Sequence, residues 1–265
     1  MPINIVVCAK QVPDSEAPPS AYGIDEGKNR LVTSQGISPI VNQFDENALE
    51  AALRIGESVG AKITVIFMGN DLVMDVVKKP LSMGADELVL LQDPAFGDPD
   101  SFVTAQVLAA AIRKIGEFDL IICGRQASDW DNAQVGSGVA EILDIPCVSI
   151  AKGVDASGGK VVVDRVLPDG IQRVEAPLPC LVTVSNELGE PRYPTLRGIM
   201  AAGRKQPTIW KAADLGLDPS QLQPRIQIEK VFIPISESQC ELIEGESPSD
   251  AGRKLALKLR EAKII

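Results

Sequence analysis

A chain of 265 residues with 45% hydrophobic content can bury a full core. Its formal charge of −10, from 26 basic and 36 acidic residues, argues against nucleic acid, which demands clustered Lys and Arg. With no histidine, Ser-His-Asp and Cys-His catalysis and His-ligated zinc are excluded, and chemistry carried by a bound cofactor is favoured.

Residues 3–9 (I-N-I-V-V-C-A) read as a buried parallel strand. No basic stretch precedes it and no apolar run approaches the ~20 residues of a membrane span, so neither a secretory signal nor a transmembrane segment is expected. Residues 11–36 form a long proline-rich stretch with one short strand at 31–33, and an ordered loop of that length points to function. Residues 44–59 carry a helical stripe at Leu49, Ala52, Leu53 and Gly56, with Asn42 and Asp45 placed to cap it. The pattern then repeats: strand 63–68, helix 72–83, strand 87–91, helix 100–115, strand 120–123, helix 134–143, strand 147–150. Alternation of this kind predicts a parallel, doubly wound α/β sheet.

Past residue 150 the texture changes. Residues 160–165 and 172–175 flank Pro168-Asp169-Gly170, a hairpin signal, and a strand follows at 180–184. Residues 204–234 read as an extended arm. Ser247-Pro248-Ser249-Asp250 is a capping box that opens a last helix with Leu255, Leu259 and Ala262 on one face, which can pack on its own domain or, as expected here, on another chain. The five cysteines form no C-x-x-C pair, and four lie in or beside apolar runs. They read as reduced core thiols in a cytoplasmic compartment.

In open parallel sheets ligands bind beyond the carboxyl ends of the strands. Three segments reach that edge: 8–10, 68–70 and 124–137. The last, G-R-Q-A-S-D-W-D-N-A-Q-V-G-S, runs from a strand end into a helix start, where free N–H groups and the helix dipole can hold a phosphate. Asp129 and Asp131 serve there as turn formers, since their charge repels phosphate, and Trp130 is placed either to stack on a ring or to anchor the loop. The alternative is an ordinary strand-to-helix loop with Asx caps. Neither G-x-G-x-x-G nor G-x-x-x-x-G-K-[ST] is present, so a standard dinucleotide fingerprint and a P-loop are both unsupported.

Residues 186–200, N-E-L-G-E-P-R-Y-P-T-L-R-G-I-M, follow an apolar run. Pro191 and Pro194 exclude helix interior and central strand, so this reads as a stiff loop presenting Leu196, or else as a plain connection between two elements.

Four segments carry a resemblance: V-C-A-K-Q-V-P-D (7–14), N-Q-F-D-E-N-A (42–48), G-R-Q-A-S-D-W-D-N-A-Q-V-G (124–136) and E-P-R-Y-P-T-L-R-G-I-M (190–200). With these the chain resembles the β subunit of electron transfer flavoprotein over nearly its whole length. Arg165, Asp169, Gly170, Gln172, Val174 and Pro179 also fit that family's signature region, whereas Pro168 stands where an acidic residue is usual. The resemblance implies a Rossmann-like nucleotide-binding domain over 1–189, a partner recognition loop over 190–203, and a C-terminal arm and helix over 204–265 that pack on a larger α subunit. It implies an obligate heterodimer whose redox-active FAD is held mainly by that α subunit. It also implies a nucleotide pocket in this subunit. From the first two segments come Cys8, Ala9, Asn42, Gln43, Phe44 and Asp45, and from the next strand end Met68. The loop adds Gly124, Arg125, Gln126, Ala127, Ser128, Asp129, Asp131, Asn132, Ala133, Gln134, Val135 and Gly136. One branch of the family holds AMP there. Another holds a second FAD that accepts a hydride from NADH and bifurcates its electrons. Residues 10–14 and 133–136 favour FAD slightly, although Trp130 and Asn132 depart from that branch's usual Gly and Thr.

The recognition loop implies docking through Leu196, with Tyr193, Arg197 and Ile199 beside it. Arg197 stands where proline is common. The implied role is an electron carrier, rather than a substrate-converting enzyme, between acyl-CoA-type dehydrogenases and a quinone oxidoreductase. A stand-alone nucleotide-binding regulator of the same architecture is the alternative, and it would need neither the stiff loop nor the arm.

Overall fold

Alternate residues of the first strand enter opposite halves of the core, and the rest of the fold is laid out accordingly. A computed structural model describes residues 2–34, 36–234 and 240–265. Its elements in chain order are β1 (Ile3–Ala9), β2 (Gln11–Val12), β3 (Tyr22–Asp25), β4 (Arg30–Thr33), β5 (Ile40–Val41), α1 (Gln43–Val59), β6 (Ala61–Met68), α2 (Met74–Val77), α3 (Lys79–Met83), β7 (Glu87–Leu91), α4 (Ser101–Ile115) and β8 (Leu120–Gly124). There follow α5 (Val135–Leu143), β9 (Cys147–Ser157), β10 (Lys160–Leu167), β11 (Gly170–Pro177), β12 (Cys180–Val184), α6 (Leu196–Arg204), β13 (Thr208–Trp210) and α7 (Pro248–Glu261).

One nine-stranded sheet has the order β11-β10-β9-β12-β8-β1-β6-β7-β13. Every pair from β9 to β13 is parallel, and only the β9-β10-β11 end is antiparallel. Ile5 and Val7 face the layer of α1, α3 and α6, while Val6 and Cys8 face α4 and α5. Both faces are therefore covered, as the unbroken apolar strands require. From β1 the chain builds outward to β6 and β7, then returns to place β8 on the other side of β1. The crevice at this reversal, outside the ends of β1 and β8, is where such sheets bind ligands.

Several sequence expectations are corrected. The single helix over 72–83 is two short ones, α2 and α3, because Pro80 lacks an N–H and cannot continue the α2 ladder. The strand expected to stop at residue 150 continues to Ser157. Ile150 takes a left-handed φ of 61° where the β9–β12 register shifts, a bulge that an apolar-run criterion reads as an end. Cys147 and Cys240 are exposed, not core thiols like Cys8, Cys123 and Cys180.

The long segment after β1 is more structured than expected. β2 pairs with β5, and β3 with β4. Residues 204–234 are not one extended arm. β13 adds a parallel strand beside β7, and Ala212 and Leu222 bury themselves on the α4 side. The α/β domain thus reaches past 189. Beyond it, Ile226, Phe232 and Ile233 are exposed, and α7 buries no residue. Among the described residues no helix is long and apolar enough to cross a membrane.

Candidate functional site

The site is assembled by the first turn of α1, which sits against the carboxyl ends of β1 and β8. The Asp45 carboxylate is buried there. Its Oδ2 accepts the Lys10 N–H at 2.8 Å and its Oδ1 the Gly124 N–H at 3.0 Å, so one side chain ties both strand ends to the helix. Burial pushes its pKa up to about 7, against the opposing pull of Asn42, the two N–H groups and the Lys10 charge. Gly124 is required by this approach. A Cβ there would stand 2.7 Å from the Phe44 carbonyl carbon and would strike the Asp45 carboxylate.

Asn42 occupies the N-cap position of α1, but its side chain makes no cap hydrogen bond, contrary to the sequence reading. It is fully buried and turned toward the 125–134 loop instead. Its Nδ2 donates to the Gln126 carbonyl at 2.8 Å, and its Oδ1 accepts the Ser128 N–H at 3.1 Å. A buried amide satisfied on both sides in this way fixes the loop backbone.

The loop then holds itself. Arg125 N–H donates to the Val184 carbonyl at 2.8 Å, and its guanidinium lies 5.5 Å from the Phe44 ring centre. Gln126 Nε2 donates to Asp131 Oδ1 at 2.7 Å. The Ala127 carbonyl accepts the N–H groups of Trp130 and Asp131, and Asp131 and Ala133 take left-handed φ of 51° and 53°. Asn132 Nδ2 donates to Ser101 Oγ at 3.2 Å, which ties the loop to the start of α4. Lys10 Nζ reaches both Asp129 oxygens, at 2.6 and 2.9 Å, and so neutralises a charge that would repel an anion.

At the loop's end Gln134 provides no side-chain cap for α5, and the first turn of α5 carries no acidic residue. Its leading N–H groups are therefore suited to an anion. Gly136 is buried and serves packing, because a Cβ would come 2.8 Å from Thr183 Cγ2.

The sequence-designated residues do converge. Ala9, Phe44, Met68 and Gly124 lie at this edge, Asp129 to Gln134 form its exposed rim with Trp130 53% exposed, and Gln43 is exposed beside it. Cys8 packs into the core toward α4 and α5, leaving only its backbone at the edge. Sequence reasoning placed Lys10 in the edge segment 8–10 but did not count it among the pocket residues, since its partner lies 119 residues away. Its position between two designated residues and a proline turn was the available signal.

The second feature is α6. Pro191 and Pro194 stand outside helix, as expected, but the loop ends sooner than the sequence reading had it. Thr195 Oγ1 accepts the Gly198 N–H at 3.0 Å and starts a helix at Leu196. Gly198 lets that helix lie on α3, where a Cβ would collide with the Ser82 carbonyl. Ala202 faces inward, while Leu196, Ile199 and Met200 form an exposed apolar stripe and Tyr193 projects just before it. Arg197 is exposed beside them.

An electron transfer flavoprotein domain matches residues 31–215. The chain is 40% identical over 267 residues to an electron transfer flavoprotein subunit beta of Thermoanaerobacterium thermosaccharolyticum, covering 99% of this chain and 100% of the relative. The chain belongs to the electron transfer flavoprotein family. It is likewise 39% identical to the caffeyl-CoA reductase-Etf complex subunit CarD of Acetobacterium woodii, with 99% and 100% of the two chains covered. The acryloyl-CoA reductase electron transfer subunit gamma of Anaerotignum propionicum is 36% identical over 94% of this chain and 90% of its own. The protein is thus an electron transfer flavoprotein β subunit, a type that pairs with an α subunit and works in flavin-associated electron transfer.

Proposed function

We propose that this β subunit binds a nucleotide outside the ends of β1 and β8 and docks acyl-CoA-type dehydrogenases through the apolar stripe of α6. The observation that carries the first part is the loop 125–134, clamped by Asn42 and leading into an α5 start with neither side-chain cap nor first-turn carboxylate. These residues fit a phosphate-bearing ligand. Backbone N–H groups of the loop and α5 would hold the phosphates, and Lys10 keeps Asp129 from repelling them. Asp45 holds the strand ends that floor the pocket, and Trp130 is available at the rim to cover a ring. A bound flavin would supply electron carriage, and this chain's part is to bind, orient and shield it. FAD is favoured slightly over AMP. The dehydrogenase assignment draws on the acyl-CoA-type reductases named in two relatives.

A further proposal is that the exposed 223–234 segment and α7 seat on the α subunit, which holds the main FAD. The test is the visible spectrum of the co-expressed α–β complex before and after NADH. A flavin spectrum bleached directly by NADH supports FAD in the β pocket. A flavin spectrum untouched by NADH assigns AMP, and a colourless complex refutes the carrier reading.

A further inference from the structure

The segment leading to α6 is held by one face of α1. Asn47 Nδ2 donates to the Gly189 carbonyl at 2.7 Å, and Arg54 Nη1 to the Leu188 carbonyl at 3.3 Å. Between them Glu50, with a side chain only 6% exposed, receives three bonds from one residue. The Arg192 backbone N–H reaches Oε2 at 3.1 Å, its Nε reaches Oε2 at 2.8 Å, and its Nη2 reaches Oε1 at 3.2 Å. Arg54 Nε adds a bond to Oε1 at 2.8 Å. The far side of the Arg192 guanidinium grips Glu57. Asn47, Glu50, Arg54 and Glu57 recur at helical spacing, so a single ridge of α1 grips residues 188–192.

A surface ion pair would mean little. This one is different in kind, because the carboxylate is buried, fully satisfied and forked by a planar guanidinium that also carries a main-chain bond. Burial would push the Glu50 carboxyl up, but Arg192 and Arg54 hold it below its ordinary value. Arg192 lies four residues before Leu196, and only Tyr193, Pro194 and the Thr195 cap intervene before the helix starts. The direction in which Leu196, Ile199 and Met200 face solvent is therefore set at Arg192 on one side and at the Gly198–Ser82 contact on the other.

We propose that Glu50 and Arg192 are positioning residues for partner docking, a clamp that orients the α6 stripe toward the dehydrogenase without touching it. The proposal rests on the docking role assigned to α6. Its test titrates an acyl-CoA dehydrogenase encoded in the same genome, with acyl-CoA, against the purified α–β complex. Flavin reduction is followed in wild type, Arg192→Ala, Arg192→Lys, Glu50→Gln, Leu196→Ala and Arg192→Ala/Leu196→Ala.

Arg192→Ala and Glu50→Gln should each raise the half-saturation for dehydrogenase by about tenfold, with the saturated rate, nucleotide content and α-subunit association unchanged. Arg192→Lys, which can reach Glu50 but cannot fork it, should fall between. The double variant should weaken docking by less than the two single effects added together, because both act through the same stripe. If Leu196→Ala has no effect, the docking role itself fails. If Leu196→Ala weakens docking and Glu50→Gln does not, Arg192 either touches the partner or is idle, and the clamp is refuted. Loss of nucleotide or α subunit in Glu50→Gln and Arg192→Lys would make the pair a general support of the fold, which also overturns the proposal.

Discussion

Replacing Leu196 by alanine perturbs one side chain at the start of α6 and nothing beneath it. Leu196 is 76% exposed, so its own subunit gains little from it. Full burial of a leucine is worth about 1.5–3 kcal/mol, and three-quarters of that is about 1–2 kcal/mol. At ~1.4 kcal/mol per decade, docking should weaken by roughly five- to thirtyfold. Little ordering entropy offsets this, because the Thr195 cap, Pro194 and the α3 contact already hold the helix start. The assay is the titration of flavin reduction by an acyl-CoA dehydrogenase, run beside thermal melting. The half-saturation should rise while the saturated rate and melting temperature stay within error of wild type. A lowered melting temperature with unchanged half-saturation would refute the reasoning, since it would show that Leu196 supports its own subunit instead of a partner.

Three further outcomes follow from contacts elsewhere in the chain. Asp45→Asn turns an amide N–H2 toward one of the two N–H donors, leaving a buried donor unpaired at a cost of about 1–3 kcal/mol, so melting should fall and nucleotide should be lost. Because burial raises the Asp45 pKa from 3.8 to about 7, its protonation contributes stability that is fully present below 3.8 and is lost as pH rises through about 7; melting between pH 5 and 8 should therefore slope downward from this group, and Asp45→Asn should flatten the slope. Deleting residues 240–265 removes a helix that buries nothing on its own chain, so the isolated β fold should melt unchanged while α-subunit association weakens, as gel filtration of the co-expressed pair would read.

What the sequence made legible, and what it hid, follows from the range of the interactions. β7 at 87–91 was read correctly because an isolated apolar run between turns has one reading. The Ser247 cap was also readable, since it bonds an N–H three residues on. The reciprocal half of the expected box at Ser247 is displaced, with Asp250 accepting from Glu246. Residues 42–45 and 124–136 were marked by their motifs, yet Asn42 was taken for a helix cap because its real partners, an acceptor and a donor, lie 84 and 86 residues ahead. β13 was invisible for a similar reason. Three residues become a strand only beside β7, far earlier in the chain. The prolines at 191 and 194 suggested a loop to residue 200, although a helix needs only a cap and four free residues beyond the last proline, and Thr195 supplies the cap. Glu50 lay hidden as one more polar position on an amphipathic helix, and only the folded chain brings Arg192 to it.

The central claim is that this chain itself binds a nucleotide outside the ends of β1 and β8. The most direct measurement is chromatography of the nucleotides released by heat from the purified α–β complex, counted per heterodimer, for wild type and Asp45→Asn. The account predicts two nucleotides per wild-type heterodimer, FAD with a second FAD or FAD with AMP, and loss of only the second in the variant. One nucleotide per wild-type heterodimer, with Asp45→Asn unchanged, would contradict it.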